Sequence, residues 1–172
     1  EWAVMIGNTS YGNSYGDQAL GVAVDTSGNA YVTGSFSSPT VSFGSTRLSR
    51  VGSTPDLFIA KISGAGQWQW AVKAGGTNPT VGYGIALDSS NNVLVTGQFS
   101  TCSFGSTSLT GWYDVFVAKL SSSGSWQWAI SASPSSSGTE RGKDITTDGS
   151  GNAYVGGSFA STSVTFGSTT LT

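Results

Sequence analysis

From Ala30 to Phe36 the chain alternates. Ala30, Val32, Gly34 and Phe36 fall on one side of an extended backbone, and Tyr31, Thr33 and Ser35 on the other. A period of two reads as a strand with one covered face. The runs "LFIA" at residues 57–60 and "VFVA" at 115–118 are continuously apolar. Such runs fit strands covered on both faces. "GVAVD" and "QWQWAVK" complete a set of four strand-like phrases. No stretch sustains a 3.6-residue period, so essentially no helix is expected.

These phrases recur in fixed order. "WAVMIG" begins at Trp2, "WAVKAG" at Trp70 and "WAISAS" at Trp128. Next come "GVAVD", "GIALD" or "DITTD", ending at Asp25, Asp88 and Asp148. "DTSGNAYVTGSF", "DSSNNVLVTGQF" or "DGSGNAYVGGSF" starts on each of those aspartates, followed by "SFGSTRL", "SFGSTSL" or "TFGSTTL". "DLFIAKI" or "DVFVAKL" then leads into the next Trp phrase, and the third copy has no such strand. The chain therefore reads as one repeat domain, 1–172, with units 2–69, 70–127 and 128–172, the last incomplete. Extra length in the first unit is confined to "NTSYGNSYGDQA" and "SRVGSTP", whose composition marks surface loops.

The aspartate phrases are read as hairpin turns. Asp25 with Asn29, Asp88 with Asn92, and Asp148 with Asn152 bracket a tight return between two strands. The aspartate accepts backbone N–H groups, and Gly or Asn91 takes the left-handed position that a β-carbon penalises. "FGST" at Phe43, Phe104 and Phe166 reads as an aromatic anchor before another turn. In the third copy Thr146 and Thr147 interrupt an apolar strand, which is expected to be looser, and Gly156-Gly157 replaces "TG".

Four antiparallel strands per unit is the pattern of a β-propeller blade. "GVAVDTSGNAYVTGSF" and "DVFVAKLSSSGSWQWA" resemble the bacterial β-propeller repeat called SBBP. The resemblance implies an all-β propeller in a secreted or surface protein, with no catalytic residues to carry over. Propellers close with about four to eight blades, so two full units and parts make an incomplete ring. The expected partners are further blades of a longer parent chain or other copies of itself.

Composition narrows the chemistry. Seven basic and nine acidic residues give a net charge of −2. That leaves no basic field for nucleic acid. No apolar run is long enough for membrane insertion, and no signal peptide is recognised. Cys102 is the single cysteine, so no intrachain disulfide can form, and a small half-buried thiol is expected. There is no histidine, which removes the commonest general base and the usual zinc ligands. No cofactor and no metal site are expected. The aspartate loops contain calcium-type ligands but lack the further carboxylates of a calcium motif. Lys61 and Lys119 are expected to reach a neighbouring aspartate.

Tryptophan carries the remaining signal. Trp68 and Trp70, like Trp126 and Trp128, stand two apart and so share a strand face. Together with Trp2 they are expected to fill the gaps between blades. Trp112 and Tyr113 break the repeat, occupying a loop where the first unit reads "STPDLF". They are candidate ligand contacts, with Tyr11 and Tyr15 of the first long loop beside them. The function expected is a non-catalytic structural or adhesive module of an extracellular or cell-surface bacterial protein, acting in self-assembly or protein interaction. A carbohydrate-binding propeller using loop aromatics is the alternative, with glycans as partners.

Overall fold

The computed structural model describes residues 3–6, 16–134 and 138–172, of which the side chains of 133 and 134 are left aside. Trp2, Tyr11 and Tyr15 lie outside the described residues. The first unit forms β1 (Gln18–Val24), β2 (Ala30–Phe36), β3 (Thr40–Phe43), β4 (Thr46–Ser49), β5 (Asp56–Ile62) and β6 (Trp68–Ala74). The second forms β7 (Thr80–Leu87), β8 (Val93–Phe99), β9 (Cys102–Phe104), β10 (Thr107–Leu109), β11 (Asp114–Leu120) and β12 (Trp126–Ser131). The rest is β13 (Ser133–Pro134), β14 (Arg141–Thr147), β15 (Ala153–Ser158), β16 (Val164–Phe166) and β17 (Thr169–Leu171). No helix occurs among the described residues.

Two antiparallel four-stranded sheets result, ordered β1-β2-β5-β6 and β7-β8-β11-β12, with β14-β15 beginning a third. The inner strand β7 packs against both β1 and β14, so the sheets fan about a common side without closing. This is an incomplete β-propeller. The "FGST" phrase is more than a turn. It joins β3 to β4, β9 to β10 and β16 to β17, an extra hairpin inserted between the second and third strands. The residues after each fourth strand bridge to the next unit's hairpin, Gly75 to Ser103 and Ser133 to Thr165.

The aspartate turns are built alike. Asp25 Oδ1 accepts the amides of Ser27 and Asn29 at 3.0 and 2.9 Å, and Oδ2 accepts Asn29 Nδ2 at 2.8 Å. Asp88 repeats this with Ser90 and Asn92, and Asp148 with Ser150 and Asn152. Gly28, Asn91 and Gly151 take φ of +78°, +58° and +83°, the left-handed position each turn requires. Lys119 lies 2.8 Å from Asp88, and Lys61 3.9 Å from Asp25 while capping the Tyr31 ring. The third strand is thereby tied to the turn between the first two.

Burial corrects the one-faced reading of the second strand. Tyr31, Thr33 and Ser35 are buried along with Phe36. The face expected to be open is covered by the next blade, where Tyr31, Leu57 and Ile59 join Ile85, Val95, Phe99 and Phe116 in one core. Thr33 Oγ1 donates to Phe58 O and Thr96 Oγ1 to Phe116 O, so these two buried threonines are satisfied within their own sheets. Gly82 of the next inner strand lies directly against Thr33 and Leu57, and Gly142 against Thr96 and Val115. A β-carbon has no room at either contact. The expectation of a loose β14 is also corrected. It pairs from Arg141 to Thr147, and Thr147 Oγ1 donates to Leu87 O at 2.7 Å, fastening the third unit to the second.

The tryptophan reading needs a sharper correction. A β-bulge sets Trp70 opposite Lys61 but Trp68 opposite Ile62, and another treats Trp128 and Trp126 alike. The extra residue reverses the alternation, so the paired tryptophans point to opposite faces. Trp68 packs edge-on to Phe43 at 5.1 Å and Trp126 to Phe104 at 5.2 Å. Both hold the inserted hairpin to their own blade and do not fill a gap between blades. Trp70 crosses to the next blade, donating its indole N–H to Ser122 O at 3.2 Å. Trp128 stays 37% exposed.

Two expectations follow. Gly82→Ala should destabilise by roughly 1–3 kcal/mol through overpacking. Gly156→Ala, where a β-carbon meets open space, should stay within about 0.5 kcal/mol; urea unfolding compares the two. The second concerns acid. Burial opposes ionisation of Asp88, but Lys119, Asn92 and two backbone amides outweigh it and lower its pKa from 3.8 to about 2. A depressed folded pKa gives stability that is present above the unfolded value and lost as pH falls through the folded one. Asp88→Asn should therefore cost about 1–3 kcal/mol at pH 7. That deficit should shrink as melts are repeated from pH 4 down toward pH 2.

Candidate functional site

A cleft of about 620 Å³ opens at one end of the inner strands. Its floor is the first residues of β1 and β7 and the last residues of β2 and β8, with Gln18, Val81, Ser35 and Gln98 lining it. Pro55 and Pro79 form one rim, and Tyr83, Tyr113 and Arg141 the other parts of the wall. The register explains why these residues meet. Gln18 pairs with Ser35, Val81 with Gln98 and Arg141 with Ser158, so each cross-strand pair sits at the same level of its blade.

At this level the copies stop agreeing. Turn aspartates, anchoring phenylalanines and bulged tryptophans recur. Gln18, Val81 and Arg141 share one repeat position and differ, and at the position paired with it Gln98 stands where the other two copies have Ser35 and Ser158. Gln98 uses its length: Nε2 donates to Glu140 O at 3.1 Å and to Tyr113 O at 3.3 Å, bridging the second blade to the third. Arg141 is exposed and has no carboxylate partner among the described residues.

Tyr113 is held in an uncommon conformation, φ +56°. For a bulky residue this region is disfavoured and persists only where neighbours enforce it. Ser100 Oγ accepts its amide at 2.8 Å, and its carbonyl accepts the Glu140 amide at 2.8 Å. Trp112 meets the Tyr113 ring edge-on at 5.4 Å and is 58% exposed. The two candidates are thus in contact, with Tyr113 in the cleft wall and Trp112 outside it.

Two buried carboxylates lie behind this wall. Burial pushes the Asp114 carboxyl up, the Trp112 amide opposes this, and the charge of Glu140 adds to it. Glu140, fully buried, accepts the amide and hydroxyl of Ser161. Asp56 occupies the position of Asp114 in the first unit. Burial raises its pKa too, but Lys73 stands 2.9 Å away and opposes the shift. The second unit has Ser131 where the first has Lys73. Cys102 is buried, its thiol pushed up to about 12 chiefly by burial, which makes it a packing residue and not a nucleophile.

The pairing of Trp112 with Tyr113 was visible as a break in the repeat. Gln98, Tyr83, Glu140 and Arg141 were not singled out by the sequence reading. The same signal was there for Gln98 and Arg141, since each differs from its two counterparts. The turn residues Asp25, Asn29, Asp88, Asn92, Asp148 and Asn152 stand away from the cleft in three separate turns.

Ser131→Lys should supply the ammonium that Asp114 lacks. A carboxylate with a raised folded pKa loses stability as pH rises through that pKa. The substitution should lower the Asp114 pKa in a carbon-detected titration and raise stability at pH 7 by about 1 kcal/mol.

Comparison with known proteins bears on these units directly. Residues 1–35 and 69–98 match the family model of the SBBP β-propeller repeat. The second match runs from within β6 through β8, the fourth strand of one blade and the first two of the next. A WD repeat-containing protein of Acanthamoeba polyphaga mimivirus, described as uncharacterized, is 26% identical over 163 residues. The alignment covers 84% of this chain and 12% of that relative, so the chain spans a small part of the relative's length. The repeated phrases, the four-stranded blades and the family match agree: the chain carries SBBP-type β-propeller repeat sequence over residues 1–35 and 69–98.

Proposed function

We propose that this chain is a non-catalytic interaction module of a larger extracellular or cell-surface bacterial protein, engaging a protein partner through the cleft at the end of its inner strands. The observation that carries this reading is where the copies diverge. Repeated residues serve the blade, as expected of nearest-neighbour repeats. The divergent ones, Gln98, Arg141 and Tyr113, gather around one concave surface. A site made by variation on a repeated frame suits recognition more than chemistry. The chain also lacks histidine, and three of its aspartates are engaged in turns. An adhesive role fits a low-charge surface rich in hydroxyl groups.

Carbohydrate binding is the second reading, favoured by one observation. Trp112 presents an exposed ring beside the cleft, the kind of face on which a sugar stacks.

The test is a binding panel of extracellular matrix proteins and glycans with the immobilised chain. Arg141→Gln with Tyr113→Gly should weaken protein binding at least about tenfold while leaving the melting temperature within a few degrees, since glycine relieves the positive φ. Loss of a glycan signal on Trp112→Ala would favour the second reading. Absence of both kinds of binding would defeat the proposal.

A further inference from the structure

The two junctions between units follow one plan and differ in charge. At the first, the Thr80 amide donates to Pro55 O at 2.9 Å, and at the second the Glu140 amide donates to Tyr113 O at 2.8 Å. Asp56 and Asp114 come directly after these carbonyls and open the third strands. Asp56 is answered by Lys73, whose ammonium lies 2.9 Å away. Lys73 faces Phe58 across the sheet, and the residue facing Phe116 in the same register is Ser131. The second junction thus has one ammonium fewer. It also has one carboxyl more, because Glu140 stands where the first has Thr80.

Both carboxyl groups of the second junction are enclosed. Glu140 is 0% and Asp114 6% exposed. Glu140 Oε2 and Asp114 Oδ1 accept no hydrogen bond among the described residues. Glu140 Oε1 accepts the amide and hydroxyl of Ser161, and the Asp114 carboxyl accepts the Trp112 amide. A buried oxygen without a partner is costly, and more so when it carries charge. The elements packed around the pair bring it no cation. β8 contributes Gln98 and β12 contributes Ser131. On β14, Arg141, Lys143 and Asp144 are exposed, and Lys119 at the far end of β11 is engaged by Asp88. The charge of Glu140 is the one that reaches Asp114. Two carboxyl groups are also too few for a cation cage, and the described residues gather no third acid, thiol or imidazole beside them. Such a pair is stable while it keeps a proton and strained once both members ionise.

What the pair holds in place is itself strained. Tyr113, at φ +56°, is kept there by Ser100 Oγ on its amide and by the Glu140 amide and Gln98 Nε2 on its carbonyl. Gln98 Nε2 also donates to Glu140 O, so one side chain ties together the backbone beside both carboxyl groups. A left-handed tyrosine relaxes to ordinary backbone when such bonds let go.

We propose that Asp114 and Glu140 form a pH-sensitive latch between the second and third units. With a proton between them the junction is closed and Tyr113 is held in the cleft wall. Ionisation of both opens the Glu140–Tyr113 bond as pH rises above the ordinary carboxylate range. The sign follows from Asp114, whose pKa burial raises. A raised folded pKa gives stability that is full below the unfolded value and lost as pH rises through the folded one. The latch stands on the junction alone. Its consequence for recognition, a firmer grip on a partner in acid, rests on the cleft reading proposed above.

The experiment follows backbone hydrogen exchange of the 172-residue chain from about pH 4 to pH 8, each rate divided by its intrinsic rate. The Thr80 amide, at the same repeat position, is the internal reference. Protection of the Glu140 amide relative to Thr80 is expected to fall at least about fivefold across that range. Asp114→Asn keeps an acceptor for the Trp112 amide and removes the titration, so the ratio should stay level. Ser131→Lys supplies an ammonium and should level it as well. A constant ratio in the parent chain overturns the proposal, as does a pH dependence unchanged in both variants. Recovery of the ratio at pH 8 on adding calcium chloride also overturns it, by making the pair an ion site. Exchange reports the junction without any partner, so failure of the binding panel and failure of the latch are read separately.

Discussion

The structure depends on one contact, the seating of each inner strand on the second and third strands of the blade before it. A four-stranded sheet with two apolar faces cannot exist alone in water. Thr33, Leu57 and Ile59 are buried only because β7 and the second blade lie over them. Gly82 and Gly142 make that approach possible, and the threonines beneath them spend their hydroxyls on carbonyls of their own sheet. A dry, satisfied surface then meets a backbone with no side chain in the way. Burying each large side chain there contributes on the order of 1.5–3 kcal/mol.

The turns and the hairpins follow from this contact. A blade whose faces are both covered needs its strands fixed in register before it can stack. Asp25 and Asp88 do this by gathering the turn amides, the turn asparagine and a lysine of the third strand around one carboxylate. The bulge in the fourth strand then sends one tryptophan to each face. Trp68 and Trp126 hold the inserted hairpin, and Trp70 reaches the neighbouring blade.

Divergence among the copies has a different address. At the open end of the inner strands no neighbour dictates the side chain, so Gln18, Val81 and Arg141 can differ at one repeat position. Gln98 then braces the left-handed Tyr113 against the third unit. Asp114, without the lysine that serves Asp56, sits near Glu140 instead.

The all-β class, the repeat, the four blade strands and the aspartate turns were legible in the sequence. They rest on local rules: period two, a residue tolerant of positive φ, and a side chain that accepts its own turn's amides. Trp112 and Tyr113 were legible as a departure from the repeat, though not that Tyr113 would line a cleft and Trp112 stand outside it. Three things came only with the tertiary structure. A bulge inserts one residue and reverses every face after it, so the two-apart spacing of Trp68 and Trp70 misled. The second face of β2 looked polar because its threonine and serine are buried by a neighbouring blade that alternation does not register. The cleft joins residues as far apart as Gln18 and Arg141, and only the stacking of blades brings such positions together.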